Sequence, residues 1–191
     1  MKTAKINVRH LFVFALIVLV VSTRLMTFLP NFSPLTAISL FGAAYFTKKW
    51  QAIFIPIICV WISDLLVNNI LYKDYYQSFT FFYQGFYWQY LSYIIITFVS
   101  ILVLKKLTTL RVLSMGIFGT CLFFLISNFG VWISTNMYQK SFDGLMQCYI
   151  AGIPFIKGTL LGDLGFSALL FGTFAFAEKT IPILNQKQFI K

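Results

Sequence analysis

Four ionisable side chains lie inside or at the ends of long apolar runs, where such groups are rare. They are Arg24, Asp64, Lys157 and Asp163. Placing an ionised side chain at the centre of a membrane helix costs about 2.5–3.5 kcal/mol on insertion scales, so each one calls for a specific role. They can neutralise one another, as Arg24 with Asp64 and Lys157 with Asp163, or they can hold a polar ligand. The sequence leaves both roles open.

The segment from Tyr72 to Tyr93 is dense in aromatic residues. Tyr and Trp are enriched where membrane helices meet the lipid headgroups, so one interpretation is an anchoring belt. The other is a lid of Tyr83, Tyr87 and Trp88 that stacks on a flat organic ligand, because aromatic rings give a large contact area at little entropic cost.

A short polar motif, Asn31-Phe32-Ser33-Pro34, follows the first apolar run. Pro30 and Pro34 bracket it, so it cannot continue a helix. We expect it to present backbone groups and polar side chains at the outer mouth of the protein. Asn31 and Ser33 are therefore candidate binding residues.

Metal binding and catalysis find little support. His10 is the only histidine, and no C-x-x-C spacing occurs among the three cysteines, Cys59, Cys121 and Cys148. We therefore expect no metal site and no cofactor. His10 is predicted to lie on the cytoplasmic side, away from the acids, so no nucleophile, base and orienting acid can be assembled. We expect no enzymatic activity, and the alternative is an aspartate-dependent membrane enzyme that uses Asp64 and Asp163.

The elements that must position these residues are membrane helices. Of the 191 residues, 59% are hydrophobic and 10% are charged, and the mean hydropathy is +0.83, far above that of a soluble domain. A hydrocarbon core about 30 Å thick requires roughly 20 apolar residues per span. We predict one all-α integral membrane domain, residues 1–191, with six transmembrane helices. The second is short and has a re-entrant segment as its alternative; the spans are 11–29, 32–47, 50–66, 86–104, 112–134 and 158–177.

The net charge of +10 sets the predicted topology. Basic residues stand in small groups at the ends of apolar runs and not along one helix face, which argues against nucleic acid as a partner. Six spans place most of them on one side of the membrane, so the positive-inside rule predicts cytoplasmic N- and C-termini. No A-x-A cleavage site follows the first run, which predicts a retained span. In this topology the two long connecting segments, 67–85 and 135–157, lie on the external face, and the cytoplasmic connections are short.

Several blocks of the sequence resemble an uncharacterised family of small bacterial membrane proteins. That family is similar to the substrate-binding S-components of energy-coupling-factor (ECF) vitamin transporters, which are six-helix bundles with cytoplasmic termini and an outward-facing pocket. The resemblance implies a multi-pass protein of the bacterial inner membrane that binds a vitamin or vitamin-like solute from the outer face. The blocks are Asn31-Phe32-Ser33-Pro34, Ala37–Phe46, Ser63-Asp64-Leu65, Ser127–Trp132, Gly144-Leu145, Cys148–Phe155 and Thr159–Leu164.

The resemblance also implies a set of pocket residues and partners. S-components dock on a transmembrane coupling subunit with its ATPases, usually through an Ala-x-x-x-Ala face of the first helix. The first span here has no such face, so solitary operation stays open. A structural or assembly protein without a ligand is the alternative function. The implied pocket residues are Asn31, Asp64, Asn128, Trp132, Tyr149, Lys157 and Asp163.

Overall fold

The described part of the chain folds into a bundle of six α-helices. The computed structural model describes residues 8–26, 31–76 and 78–184. A 3-10 turn, Thr23–Leu25, extends the first helix, and a π-helical turn, Val67–Leu71, extends the third. The helices are α1 (Val8–Ser22), α2 (Leu35–Tyr45), α3 (Lys49–Leu66), α4 (Phe86–Val103), α5 (Thr109–Ser134) and α6 (Phe142–Thr180).

Five of these helices are long and apolar enough to cross a membrane, which identifies a multi-pass membrane protein. The exception is α2, whose 11 residues reach only about 16 Å. The helical part of the predicted span 32–47 is therefore shorter than a membrane-length helix, and whether this segment crosses the membrane stays a prediction. Pro34 occupies the N-cap position of α2 and Phe46 is already extended, so the helix is confined between them.

The short helix α2 is the centre of the bundle. It contacts each of the other five α-helices, and nearly all of its residues are buried. Phe41 packs edge-on against Phe171 and Phe174 of α6, and Tyr45 lies 4.1 Å from Phe174 between ring centroids. The hydrophobic core therefore surrounds α2, and the five longer helices form the outer wall.

The last helix is longer than the predicted span 158–177. It begins at Phe142, where the Ser141 hydroxyl accepts a hydrogen bond from the Gly144 N–H as an N-cap, and it runs for 39 residues, about 58 Å. Most of the predicted external segment 135–157 is therefore helical. The helix continues through Pro154 and Lys157, within and at the end of that predicted segment.

Ion pairing joins three helix ends at one end of the bundle. The Arg9 guanidinium lies 2.7 Å from the Glu178 carboxylate and donates to the Leu184 carbonyl at 2.8 Å. It also lies over the rings of Tyr45 and Phe174. These contacts bring together the start of α1, the end of α2 and the end of α6.

Candidate functional site

A break in helical structure lies at the depth of the membrane helices. The chain from Asn31 to Pro34 is not helical, and its backbone packs directly on the middle of α6 at Gly162. A Cβ atom on Gly162 would lie 2.7 Å from the Ser33 nitrogen and 2.8 Å from the Ser33 oxygen, so only glycine permits this approach. Asn31 has a φ of 57°, a left-handed conformation that asparagine tolerates better than most residues.

Asp163 holds the start of α2 in place. Its carboxylate is 1% exposed and accepts a hydrogen bond from the Thr120 hydroxyl of α5 at 2.7 Å. The Thr36 hydroxyl and backbone N–H contribute further hydrogen bonds to it. Pro34 offers no side-chain cap, so a carboxylate from α6 takes that role at the positive end of α2.

A buried ion pair lies beside this junction. The Arg24 guanidinium is 2.7 Å from the Asp64 carboxylate and 3.1 Å from the Ser63 hydroxyl. Tyr90 of α4 donates to the other Asp64 oxygen at 2.6 Å. The hypothesis of an Arg24–Asp64 pair is confirmed. Asp64 and Asp163 are held by separate sets of partners.

Three adjoining cavities form what we call the polar cleft. The first, about 210 Å³, lies between α5 and α6 and is lined by Thr120, Asn128 and Thr159 among others. The second, about 130 Å³, is bordered by Arg24, Ser33, Thr36, Gln89 and Asp163. The third, about 120 Å³, lies between α4, the loop before it and the end of α5. Asn31, Phe123 and Thr159 line both the first and the second cavities, and Gln89 lines both the second and the third.

Aromatic rings form the apolar walls of the polar cleft. Tyr93 of α4 and Phe123 of α5 stack with centroids 5.5 Å apart and planes 8° from parallel. Phe124 and Phe155 line the first cavity. The polar cleft therefore combines flat apolar surfaces with hydroxyl and amide groups, the composition of sites for small organic molecules.

The predicted lid aromatics lie at the far end of the cleft from Asp163. Trp88 packs on α5 at Gly130, where a Cβ atom would be 2.4 Å from the indole, and its Nε1 donates to the Ser134 hydroxyl at 2.9 Å. The Tyr87 hydroxyl lies 2.9 Å from the same Ser134 oxygen, and Tyr87 is exposed. Tyr83 and Trp88 line the third cavity, whereas Tyr87 does not.

Two buried hydroxyls on the cleft walls have no hydrogen-bond partner among the described residues. They belong to Ser33, which lines the second cavity, and Tyr83, which lines the third. Burial, with the nearby negative charge of Asp64, raises the pKa of Tyr83 above its ordinary value, so the phenol stays neutral. Unpaired buried hydroxyls are costly, which marks both as groups suited to a ligand.

Three other predicted site residues lie on α5 and α6 outside the cleft. The Trp132 indole donates to the Gln139 carbonyl at 2.8 Å and has the Lys140 ammonium over its ring. The Tyr149 hydroxyl donates to the Leu125 carbonyl at 2.9 Å. Lys157 is exposed. None of Trp132, Tyr149 and Lys157 lines the three cavities. The structure brings together the implied pocket residues Asn31, Asn128 and Asp163, with Asp64 behind Arg24. Ser33, the candidate from the proline-bracketed motif, lines the cleft with them.

Sequence reasoning missed several neutral polar residues of the cleft. Gln89 stands in the aromatic-rich segment, Thr36 follows the proline motif, and Thr120 lies in an unbroken apolar run. The signal was weak for Thr36 and Thr120 because a hydroxyl group lowers hydropathy much less than a charge does. Ser127 and Thr159 stood within the quoted blocks of resemblance, and both line the cleft.

A larger cavity, about 360 Å³, lies elsewhere, between α1 and α3. Its walls are almost wholly apolar, with side chains such as Phe14, Val18, Ile58 and Ile62 that are exposed on the outside of the bundle. A groove of this kind on a membrane helix faces lipid. We therefore place the candidate site in the smaller but polar cleft.

No cluster of three or more metal-binding side chains occurs within residues 8–26, 31–76 and 78–184. The three cysteines are unpaired thiols, with Cys59 and Cys148 buried and Cys121 exposed.

Comparison with known proteins places the chain in a family. Searches of the curated proteins and of the solved structures gave no significant match. A family described as "Family of unknown function (DUF6580)" matches residues 4–184, nearly the whole chain. The match includes every helix and every residue of the polar cleft. The protein therefore belongs to the DUF6580 family.

Proposed function

We propose that this protein binds a small organic solute in the polar cleft and carries it across the membrane. The observation that carries the proposal is the cleft itself, in which hydroxyl, amide and aromatic groups meet inside a bundle of membrane-length helices. Non-helical backbone at membrane depth is tolerated only where protein buries it or where it lines a cavity. The segment from Asn31 to Pro34 meets both conditions, since Asn31 and Ser33 line the cleft and Ser33 packs on Gly162.

A broken or half-length helix beside the substrate site is a feature of many membrane transporters. Their substrate sites lie near the bilayer midplane and are built around helices that are broken there. α2 supplies such a half-length helix, and its N-terminus lies beside the cleft at Thr36 and Asp163. We infer that a solute bound here would contact the one element that every other α-helix touches.

The distribution of basic residues supports an orientation of the bundle in the membrane. The Arg9–Glu178 end of the bundle is also the end at which α2 finishes and α3 begins, beside Lys48 and Lys49. By the positive-inside rule this end is cytoplasmic, which gives six crossings if α2 and its flanking residues count as one. The cleft then opens to the outside.

The resemblance to S-components of ECF vitamin transporters fits this proposal. On that basis the solute is vitamin-like, the membrane is a bacterial inner membrane, and a coupling subunit with ATPases is the implied partner. The S-component type of uptake requires binding from the outer face without catalysis, and we propose no enzymatic step. Recovery of a coupling subunit with the purified protein would distinguish energised from solitary uptake.

A ligand screen with matched variants tests the proposal. Purified full-length protein is titrated by calorimetry and followed by thermal shift against vitamins and their precursors. Asn128→Ala removes an amide from the first cavity, and Asn136→Ala removes one from the exposed turn after α5. We expect a bound solute whose affinity falls at least tenfold in Asn128→Ala and stays unchanged in Asn136→Ala. Equal affinities in both variants, or no ligand in the screen, would contradict the proposal.

A structural or assembly role is the second candidate, and internal pairing favours it. Arg24 is paired with Asp64, and Asp163 is satisfied by Thr120 and Thr36. In that case the polar groups serve only to bind helix to helix. Cleft variants would then lower the stability of the bundle without changing the uptake or binding of any solute.

A further inference from the structure

The charged side chains that border the polar cleft are already matched by protein partners. Arg24 lies 2.7 Å from Asp64, and their side chains are 15% and 5% exposed. Asp64 also accepts from Tyr90. A charged ligand group would have to displace one of these partners and leave the other buried without a counter-charge, which is strongly unfavourable.

The start of α2 is likewise occupied. In broken-helix transporters the N-terminus of a half-helix commonly faces an anionic group of the substrate. Here the Asp163 carboxylate takes that position, with hydrogen bonds from Thr120 and Thr36. The Asp163 carboxyl group already fills the place that an anionic ligand group would take, so the start of α2 offers no further site for an anion.

The remaining polar groups on the walls are neutral. They are amides and hydroxyls, which together offer both donors and acceptors, and they share the walls with the aromatic rings of Tyr93, Phe123 and Phe124. Because the three cavities adjoin, the cleft as a whole falls within the roughly 300–1,000 Å³ that is typical of sites for small organic ligands. The neutral groups are those of Asn31, Ser33, Gln89, Ser127, Asn128 and Thr159.

We propose that the polar cleft selects a neutral organic molecule with a planar ring and amide or hydroxyl groups. This inference rests on the proposed function and names its substrate class. The flat side chains of Tyr93, Phe123 and Phe124 on the walls favour a planar ring in the ligand. Because the charged side chains are already paired, ionic ligands are disfavoured.

Matched ring compounds test the inference on the full-length protein. Pyridine, pyrimidine and indole are each titrated as the neutral carboxamide, the carboxylate and the aminomethyl cation at pH 7. We expect at least one carboxamide to bind tenfold or more tightly than both its charged counterparts. A carboxylate or cation that binds as well as its carboxamide would overturn the inference and leave solute binding intact. If no member of any series binds, the inference fails, and the screen of vitamins and precursors decides the proposed function separately.

A charge placed in the cleft should reverse this selectivity. Asn128→Asp adds a carboxylate to the wall of the first cavity, and Asn136→Asp makes the same change in the exposed turn. We expect the first variant to lose at least tenfold in carboxamide affinity and to favour the aminomethyl compound, and the second to resemble the parent. Gln89→Glu repeats the test if Asn128→Asp does not fold. Unchanged selectivity in the folded variant would overturn the assignment.

Discussion

Replacing Arg24 with methionine should destabilise the protein by about 3–5 kcal/mol, since it leaves the buried Asp64 carboxylate without its counter-charge. The structure sets this magnitude: the pair is 2.7 Å apart, and the Asp64 side chain is 5% exposed. Asp64→Asn should cost a similar amount because it leaves the guanidinium unpaired. The double variant should cost less than the sum of the two, because neither charge remains.

The assay is a double-mutant cycle, with unfolding of purified protein in mixed micelles followed by circular dichroism. A second cycle on Arg9 and Glu178 is the control. That pair is also 2.7 Å apart, but Glu178 is 29% exposed at the end of the bundle, so we expect a smaller coupling energy. Additive effects at Arg24 and Asp64, or single losses below about 1 kcal/mol, would refute the inference that the pair is buried and isolated from solvent.

Two further predictions test the packing and the topology. Gly162→Ala should destabilise by about 1–3 kcal/mol because the new Cβ meets the Ser33 backbone, whereas Gly165→Ala, with no neighbour within 4 Å, should be neutral or slightly stabilising; the same unfolding assay compares them. Single cysteines in place of Lys48 and Lys140, with the native cysteines replaced by serine, should react with an impermeant thiol reagent from opposite sides of the membrane. The cysteine at position 48 should be protected in intact cells, and labelling of it there would reverse the proposed topology.

The membrane helices could be predicted from the sequence because the hydropathy of the chain is dominated by long apolar runs. The pairing of Arg24 with Asp64 could also be anticipated. Ionised groups are so rare in these runs that few partners were available, and the cost of burying an unpaired charge favours those that exist. The second pairing considered, Lys157 with Asp163, is not formed in the structure: Lys157 is exposed and Asp163 is held by Thr120.

The limits of α2 and α6 could not be read from hydropathy. A run of apolar residues shows that a segment is buried, but burial in lipid and burial in protein have the same composition. α2 is apolar because the other five helices surround it, and not because it crosses a bilayer by itself. In α6 the helix continues through Pro154 and Lys157 because α5 packs along it, with Asn128 of α5 beside Gly152.

Capping of α2 explains only some of the polar residues that line the cleft. Capping accounts for Asp163, Thr120 and Thr36, which all meet at the helix start. It does not account for Asn128, which lies eight residues beyond Thr120 along α5, about 12 Å farther from the cap, and still lines the cleft. The Asn128 amide donates one N–H to the Phe124 carbonyl at 2.8 Å, but an amide has a second N–H and an oxygen acceptor. Polar groups are expensive at membrane depth, and under the proposed function a solute in the cleft would pair with these remaining groups, which helix capping does not involve.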